Sequence, residues 1–365
     1  MKSVSLYRVN AVILLAILAV VVLYYFQPFL IPLFFSIILS MLLLPVADKL
    51  ESWGIGRVWS TLVCILLFLL VVAAVIWVLA AQGASLSEDL PQIEAKLMGY
   101  VSSIQQWIEQ NFGVAPQQQL EFVQKQISGL SQSANQFLTS FLGGTFGLLA
   151  DFVLVVLYTF FLMWRRERYV NFLLKLVSDE SRPEAKETLH QITKVSAQYL
   201  AGRFISMVFL IVFYSIGLSV LGLKNAILVS IIAVLPTLIP YIGAYIGAIF
   251  PLMMTIISGD SGTLLPTIII LIAAQVIDNN LIEPFAMGTS LNLNPLFTIV
   301  AIVLGELLWG IPGMILFEPM FAIMRIVSQH IPALDPYAYL LEGGGKGTKW
   351  AGKISNTLKQ FFRKN

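Results

Sequence analysis

The chain has 365 residues, of which 58% are hydrophobic and 12% charged, whereas ordinary soluble domains carry about 25% charged residues. So few charges cannot cover a water-soluble globule of this length, while an exterior facing lipid needs few, and a mean hydropathy of +0.85 agrees with the second case. With 22 basic against 20 acidic residues, the chain lacks the excess of positive charge that a nucleic-acid partner requires.

At roughly 20 apolar residues per crossing, this length holds about six to ten segments plus soluble inserts. The single cysteine, Cys64, lies within an apolar run and has no intrachain partner. His190 and His330 stand far apart without metal-ligand spacing, so neither a metal nor another cofactor is expected.

Residues 1–81 read as three membrane helices. Val9 to Phe26 follows a short basic start, and Pro28 leads into a second apolar run that reaches Pro45; the apolar length and the missing small-residue cleavage pattern favour a retained hairpin over a signal peptide. The third helix follows Arg57. Residues 82–143 change character, with about a dozen glutamines and five acids. Leu86, Leu90, Ile93, Leu97, Ile104 and Ile108 fall at helical spacing, Asn111 to Pro116 breaks the pattern, and Phe122, Ile127, Leu130 and Phe137 resume it. A soluble antiparallel helical hairpin is expected there, its stripes closing on each other or on a neighbouring subunit.

Residues 144–164 form the next span. Residues 165–203 carry a basic cluster, with Ser181-Arg-Pro-Glu184 as a helix start and the helix running to about Leu200. Basic residues concentrate in alternate loops, which places both termini and this loop in the cytoplasm and the glutamine-rich insert outside.

Residues 204–330 begin with a regular span, Phe204 to Leu221, and then fragment. Pieces of about 15 residues reach about 22 Å, short of a hydrocarbon core about 30 Å thick. Some must be broken or re-entrant, with freed backbone groups buried in protein or lining a wet cavity. The expected breaks are Pro240, Gly243, Gly247, Pro284, Gly288, Pro295, Gly310, Pro312 and Gly313. The fold class is therefore all-α: a polytopic membrane protein with broken or re-entrant hairpins in its C-terminal half and an extracytoplasmic helical insert.

Between the apolar pieces stands a polar run, Gln275 to Pro295. A plain hydrophilic loop accounts well for Asn292 and Asn294; a buried or cavity-lining position accounts better for Asp278 and Glu283, which stand beside apolar residues and a proline. Ionisable groups at membrane depth mark pathways. Gln275, Asn279 and Asn280 would hydrogen-bond solute, Asp278 or Glu283 would bind a coupling cation, and Glu306 is the next candidate. Glu306 and Glu318 have no base nearby in sequence. They are either protonated or solvated at an interface.

In residues 331–365, Gly343-Gly-Gly-Lys-Gly-Thr348 lacks the spacing of a phosphate loop and reads as a linker. Trp350, Ile354, Leu358 and Phe361 share one face of a basic amphipathic helix suited to a membrane surface, a disordered tail being the alternative.

In Phe29-Leu-Ile-Pro32, Ile239-Pro240-Tyr-Ile-Gly243, Asp278-Asn-Asn-Leu-Ile-Glu-Pro284 with Gly288, Asn294-Pro295-Leu and Trp309-Gly-Ile-Pro312-Gly313-Met, the chain resembles the autoinducer-2 exporter family of permeases over nearly its whole length. The resemblance implies a multi-pass transporter of the bacterial inner membrane that exports a small signalling molecule or, in some relatives, exchanges sodium for protons. It also implies a homo-oligomer, a pentamer among the arrangements, with elevator-like movement of the hairpins. Two features depart from the family pattern: Phe285 stands where a basic residue often follows the proline, and Glu306 and Glu318 replace small or apolar residues. These acids leave room for proton or sodium coupling, and a cation/proton antiporter stands as the alternative to an exporter. An intramembrane enzyme finds no paired catalytic motif, and a scaffold does not account for the polar run.

Overall fold

The computed structural model describes residues 6–112, 146–258, 262–288 and 291–343. The described residues are helical apart from turns and one isolated bridge between Leu293 and Glu342. In chain order the helices are α1 (Leu6–Tyr25), α2 (Gln27–Ser52), α3 (Arg57–Phe112), α4 (Phe146–Trp164), α5 (Arg166–Lys175), α6 (Arg182–Val220), α7 (Ala226–Val234), α8 (Gly243–Ser258), α9 (Leu264–Ile277), α10 (Glu283–Ala286), α11 (Pro295–Trp309), α12 (Ile311–Gln329) and α13 (Asp335–Leu341). Among the described residues, five stretches are long and apolar enough to cross a membrane: Gln27–Ser52, Arg57–Leu79, Asp179–Val220, Leu264–Ala286 and Ile311–Gln329. Shorter apolar helices include Ala226–Leu238, Gly243–Ile256 and Pro295–Trp309.

Two helices outrun their sequence-based limits. α3 continues past Ala81 without a break to Phe112, 56 residues in all, about 84 Å at 1.5 Å per residue; the second arm expected in the insert lies outside the described residues, as does the amphipathic tail. The break expected near Leu200 is absent, because α6 is one helix of 39 residues. Ala201, Gly202 and Arg203 all keep their backbone donors, and a lone glycine costs only about 1 kcal/mol against alanine in a helix, too little to end one.

The chain divides into two compact units, the first made of Met1–Leu67, Ala150–Ser206 and Asn280–Asn365, the second of Phe68–Leu149 and Met207–Asn279. In the first unit, buried Trp309 packs between Phe34 and Phe317, and its indole N–H donates to the Leu23 carbonyl at 2.8 Å. α11 and α12 form a tight hairpin. Gly310 turns it at φ +62°, and Gly305 and Gly313 face each other so closely that a Cβ on either overlaps the other's backbone. Without a hydrophobic drive between helices in lipid, such small-residue approach maximises the dispersion contact that remains. The chain end straps this unit: Asn294 N–H donates to the Leu341 carbonyl and Gly343 N–H to the Asn292 carbonyl, each at 2.9 Å.

In the second unit, Leu210, Leu218, Leu228, Val229, Val234 and Leu271 are buried in one apolar core. α7 continues through a 3₁₀ turn, Leu235–Leu238, and folds back as α8, with Tyr241 in the left-handed region at φ +61°. Gly243 and Gly247 rest against the backbone of Pro236 and Ala233, with no room for a side chain on either. Thr255 Oγ1 accepts or donates to Thr267 Oγ1 at 3.1 Å, joining α8 to α9.

Candidate functional site

α9 does not end in an ordinary cap. It passes into a π turn, Asp278–Ile282, and then into α10. Pro284 has no N–H, and its ring would clash with the carbonyl of Asn280 in an unbroken α-helix; the wider turn just before it relieves that crowding. Such single π turns occur often at functional sites.

The second unit contains the start of this turn. Asp278 is buried, and Gln275 Nε2 donates to the Tyr214 hydroxyl at 3.0 Å within electrostatic reach of Asp278. Asn279 is exposed.

The first unit holds a more enclosed group. Gly202 on α6 lies directly against Ala286 and Met287, so that an added Cβ would stand 2.9 Å from the Met287 nitrogen. This close approach sets the neighbouring Arg203 beside α10, its Nη1 at 3.7 Å from Glu283 Oε1. One helical turn earlier, Tyr199 points along the same face and donates its hydroxyl to Glu318 Oε2 on α12 at 2.5 Å. Tyr199 and Glu318 are buried, the Arg203 side chain is 13% exposed, and its Nε lacks a hydrogen-bond partner among the described residues. One guanidinium thus stands 3.7 Å from one carboxylate and within electrostatic reach of a second, which accepts from the phenol.

Glu318, without a base nearby in sequence, lies within electrostatic reach of Arg203 and Glu283 in space. Pro319 follows it inside α12 and removes one backbone bond there. Glu306 stands apart, exposed on α11, and Asn280 is exposed too. Among the break residues, Gly243, Gly247, Gly310 and Gly313 lie within or next to the two hairpins; Pro312 opens α12, Pro295 opens α11 behind the Asn294 cap, and Gly288, at φ +60°, closes the segment after Pro284. Pro240 is buried in the turn before α8.

Tyr199 and Arg203 escaped the sequence reading. Arg203 stood at the boundary of the basic loop 165–203 and the apolar span from Phe204, named with neither. Its four-residue spacing from Tyr199 was the available signal.

The chain matches the profile described as AI-2E family transporter over residues 12–333. It belongs to the AI-2E transporter family. This makes it a multi-pass membrane protein of a family of transporters and permeases. Among similar proteins, "Putative transport protein YueF" of Bacillus subtilis is 24% identical over 347 residues, covering 88% of this chain and 91% of that one. "Putative transport protein YrrI" of the same organism is 26% identical over 310 residues, covering 82% and 86%. "Putative permease PerM" of Escherichia coli K12 is 24% identical over 318 residues, covering 85% and 90%. The AI-2E match takes in α6, α10 and α12, and with them every residue of the enclosed group.

Proposed function

We propose that this AI-2E protein exports a small polar solute of the autoinducer-2 type, driven by a proton or sodium gradient, as a homo-oligomer in the bacterial inner membrane with both termini cytoplasmic. The observation that carries the reading is the group formed by buried Tyr199 and Glu318, largely buried Arg203 and half-exposed Glu283 on apolar helices. Charges in such surroundings are costly and are retained where something polar or charged must pass or bind. The Nε–H of Arg203, free among the described residues, suits a hydroxyl or carbonyl oxygen of a solute, and a second acid beyond the one paired with that arginine suits a coupling cation. Elevator-like movement of the glycine-tight hairpins would carry the group between the two faces.

A second reading is a cation/proton antiporter, favoured by the presence of two acids against one arginine in that group. Reconstitution separates the two. Proteoliposomes holding the full chain are loaded with labelled autoinducer-2 and placed under a sodium or proton gradient. Gradient-driven solute flux that E318Q abolishes supports export; cation exchange without solute flux overturns it in favour of the antiporter.

A further inference from the structure

A separate cavity of about 520 Å³ opens where the α2–α3 turn meets the α4–α5 junction, lined by Glu51, Gly54, Ile55, Arg57, Trp164, Arg165, Glu167 and Arg168. It lies within the size range of small-ligand sites, about 300–1,000 Å³. Each of its acids accepts from an arginine through one oxygen, while Glu51 Oε1 is buried without a hydrogen-bond partner among the described residues. Glu167 accepts from Arg57 at 2.7 Å, and Glu51 accepts from Arg166 at 2.7 Å, with Arg57 also 3.7 Å away and Arg166 also 3.1 Å from Asp48.

Arg165 and Arg168 differ. Neither forms an ion pair among the described residues, both are exposed, and their three-residue spacing across the kink between α4 and α5 turns them toward the same opening. The Arg165 guanidinium is held over the Trp164 ring at 4.1 Å, which fixes its plane. A planar fork beside a second arginine matches the oxygens of a phosphate group.

The surroundings indicate where that phosphate comes from. The cavity sits at the ends of the apolar helices α2, α3 and α4, and exposed Trp53 and Trp59, at 68% each, lie one and two positions in sequence from its lining residues Gly54 and Arg57. Indole rings in such positions settle at the headgroup level of a bilayer. On the same helices, Val46, Val58 and Phe161 present exposed apolar surface of the kind that meets acyl chains. We propose that this cavity binds the phosphodiester headgroup of an anionic phospholipid, with Arg165 and Arg168 gripping the phosphate and Trp164 orienting Arg165. An anionic leaflet supplies that ligand at high local concentration.

The test uses the full chain purified in detergent and native mass spectrometry, titrating short-chain phosphatidylglycerol, the matching phosphatidylcholine and inorganic phosphate. Phosphatidylglycerol is expected to bind at least tenfold better than phosphatidylcholine, and R165Q/R168Q to lose that preference while K175Q/K186Q keeps it. R165K/R168K retains the charge but not the fork, and is expected to keep only part of the preference at an unchanged unfolding temperature, so that a folding defect in the glutamine variant does not decide the matter. Equal lipid preference in R165Q/R168Q and the parent overturns the proposal. So does displacement of the lipid by an equal concentration of inorganic phosphate, which assigns the cavity to a free anion.

Discussion

The Tyr199 hydroxyl donates to Glu318 at 2.5 Å, joining side chains 119 positions apart on α6 and α12. A hydrogen bond contributes about 0.5–1.5 kcal/mol net, and removing one partner of a buried pair leaves the other unsatisfied at a cost of about 1–3 kcal/mol. Y199F deletes the donor with almost no change in volume. Flux in proteoliposomes is expected to fall about tenfold or more, with the unfolding temperature lowered by a few degrees at most; unchanged flux would mean that the bond is structural only.

Arg203 and Glu283 are coupled at 3.7 Å in partly buried surroundings. R203Q, E283Q and the double variant form a thermodynamic cycle, and contacting charges give about 0.5–3 kcal/mol of interaction energy in such cycles. R203Q alone is expected to be worse than the double variant, because it removes the cation beside Glu283 while leaving that acid's charge in place. Denaturant unfolding in detergent reads the stability part, and flux the functional part.

Gly305 and Gly313 leave no room for a side chain between α11 and α12. G305A and G313A each push two backbones apart, and overpacking of this kind costs about 1–3 kcal/mol. Both variants are expected to unfold at lower temperature. G222A, at an open position with φ +75°, separates crowding from backbone strain: it should cost less and leave the hairpin intact.

Glu167 lies outside the membrane-crossing stretches, and its hydrogen bond from Arg57 lowers its pKa below the ordinary 4.5. A depressed carboxylate contributes stability that is present above its unfolded pKa and lost as pH falls through the lower folded value. Thermal unfolding followed from pH 7 downward is therefore expected to lose stability below about pH 4.5 more steeply in the parent than in E167Q. Identical profiles would show that solvent screening has cancelled the pair.

What the sequence by itself determined was the environment and the family. The shortage of charge required lipid, apolar run lengths marked the spans, and the motifs from Phe29 to Gly313 pointed to the AI-2E transporters. These are local or compositional properties, and a single chain records them directly. Residue type alone marked Pro240 to Gly247 and Gly310 to Gly313 as places where a helix would break; which backbone each glycine rests against comes from the structure. The partners were not legible. Asp278 and Glu283, five positions apart in sequence, were read as one polar patch, whereas Glu283 is matched to Arg203 and Glu318 to Tyr199 through contacts between helices far apart in the chain. Only the tertiary structure decides such pairings, because a buried charge draws its stability from whichever opposite charge or donor packing brings within about 4 Å, and hydropathy along one strand of sequence carries no record of that distance.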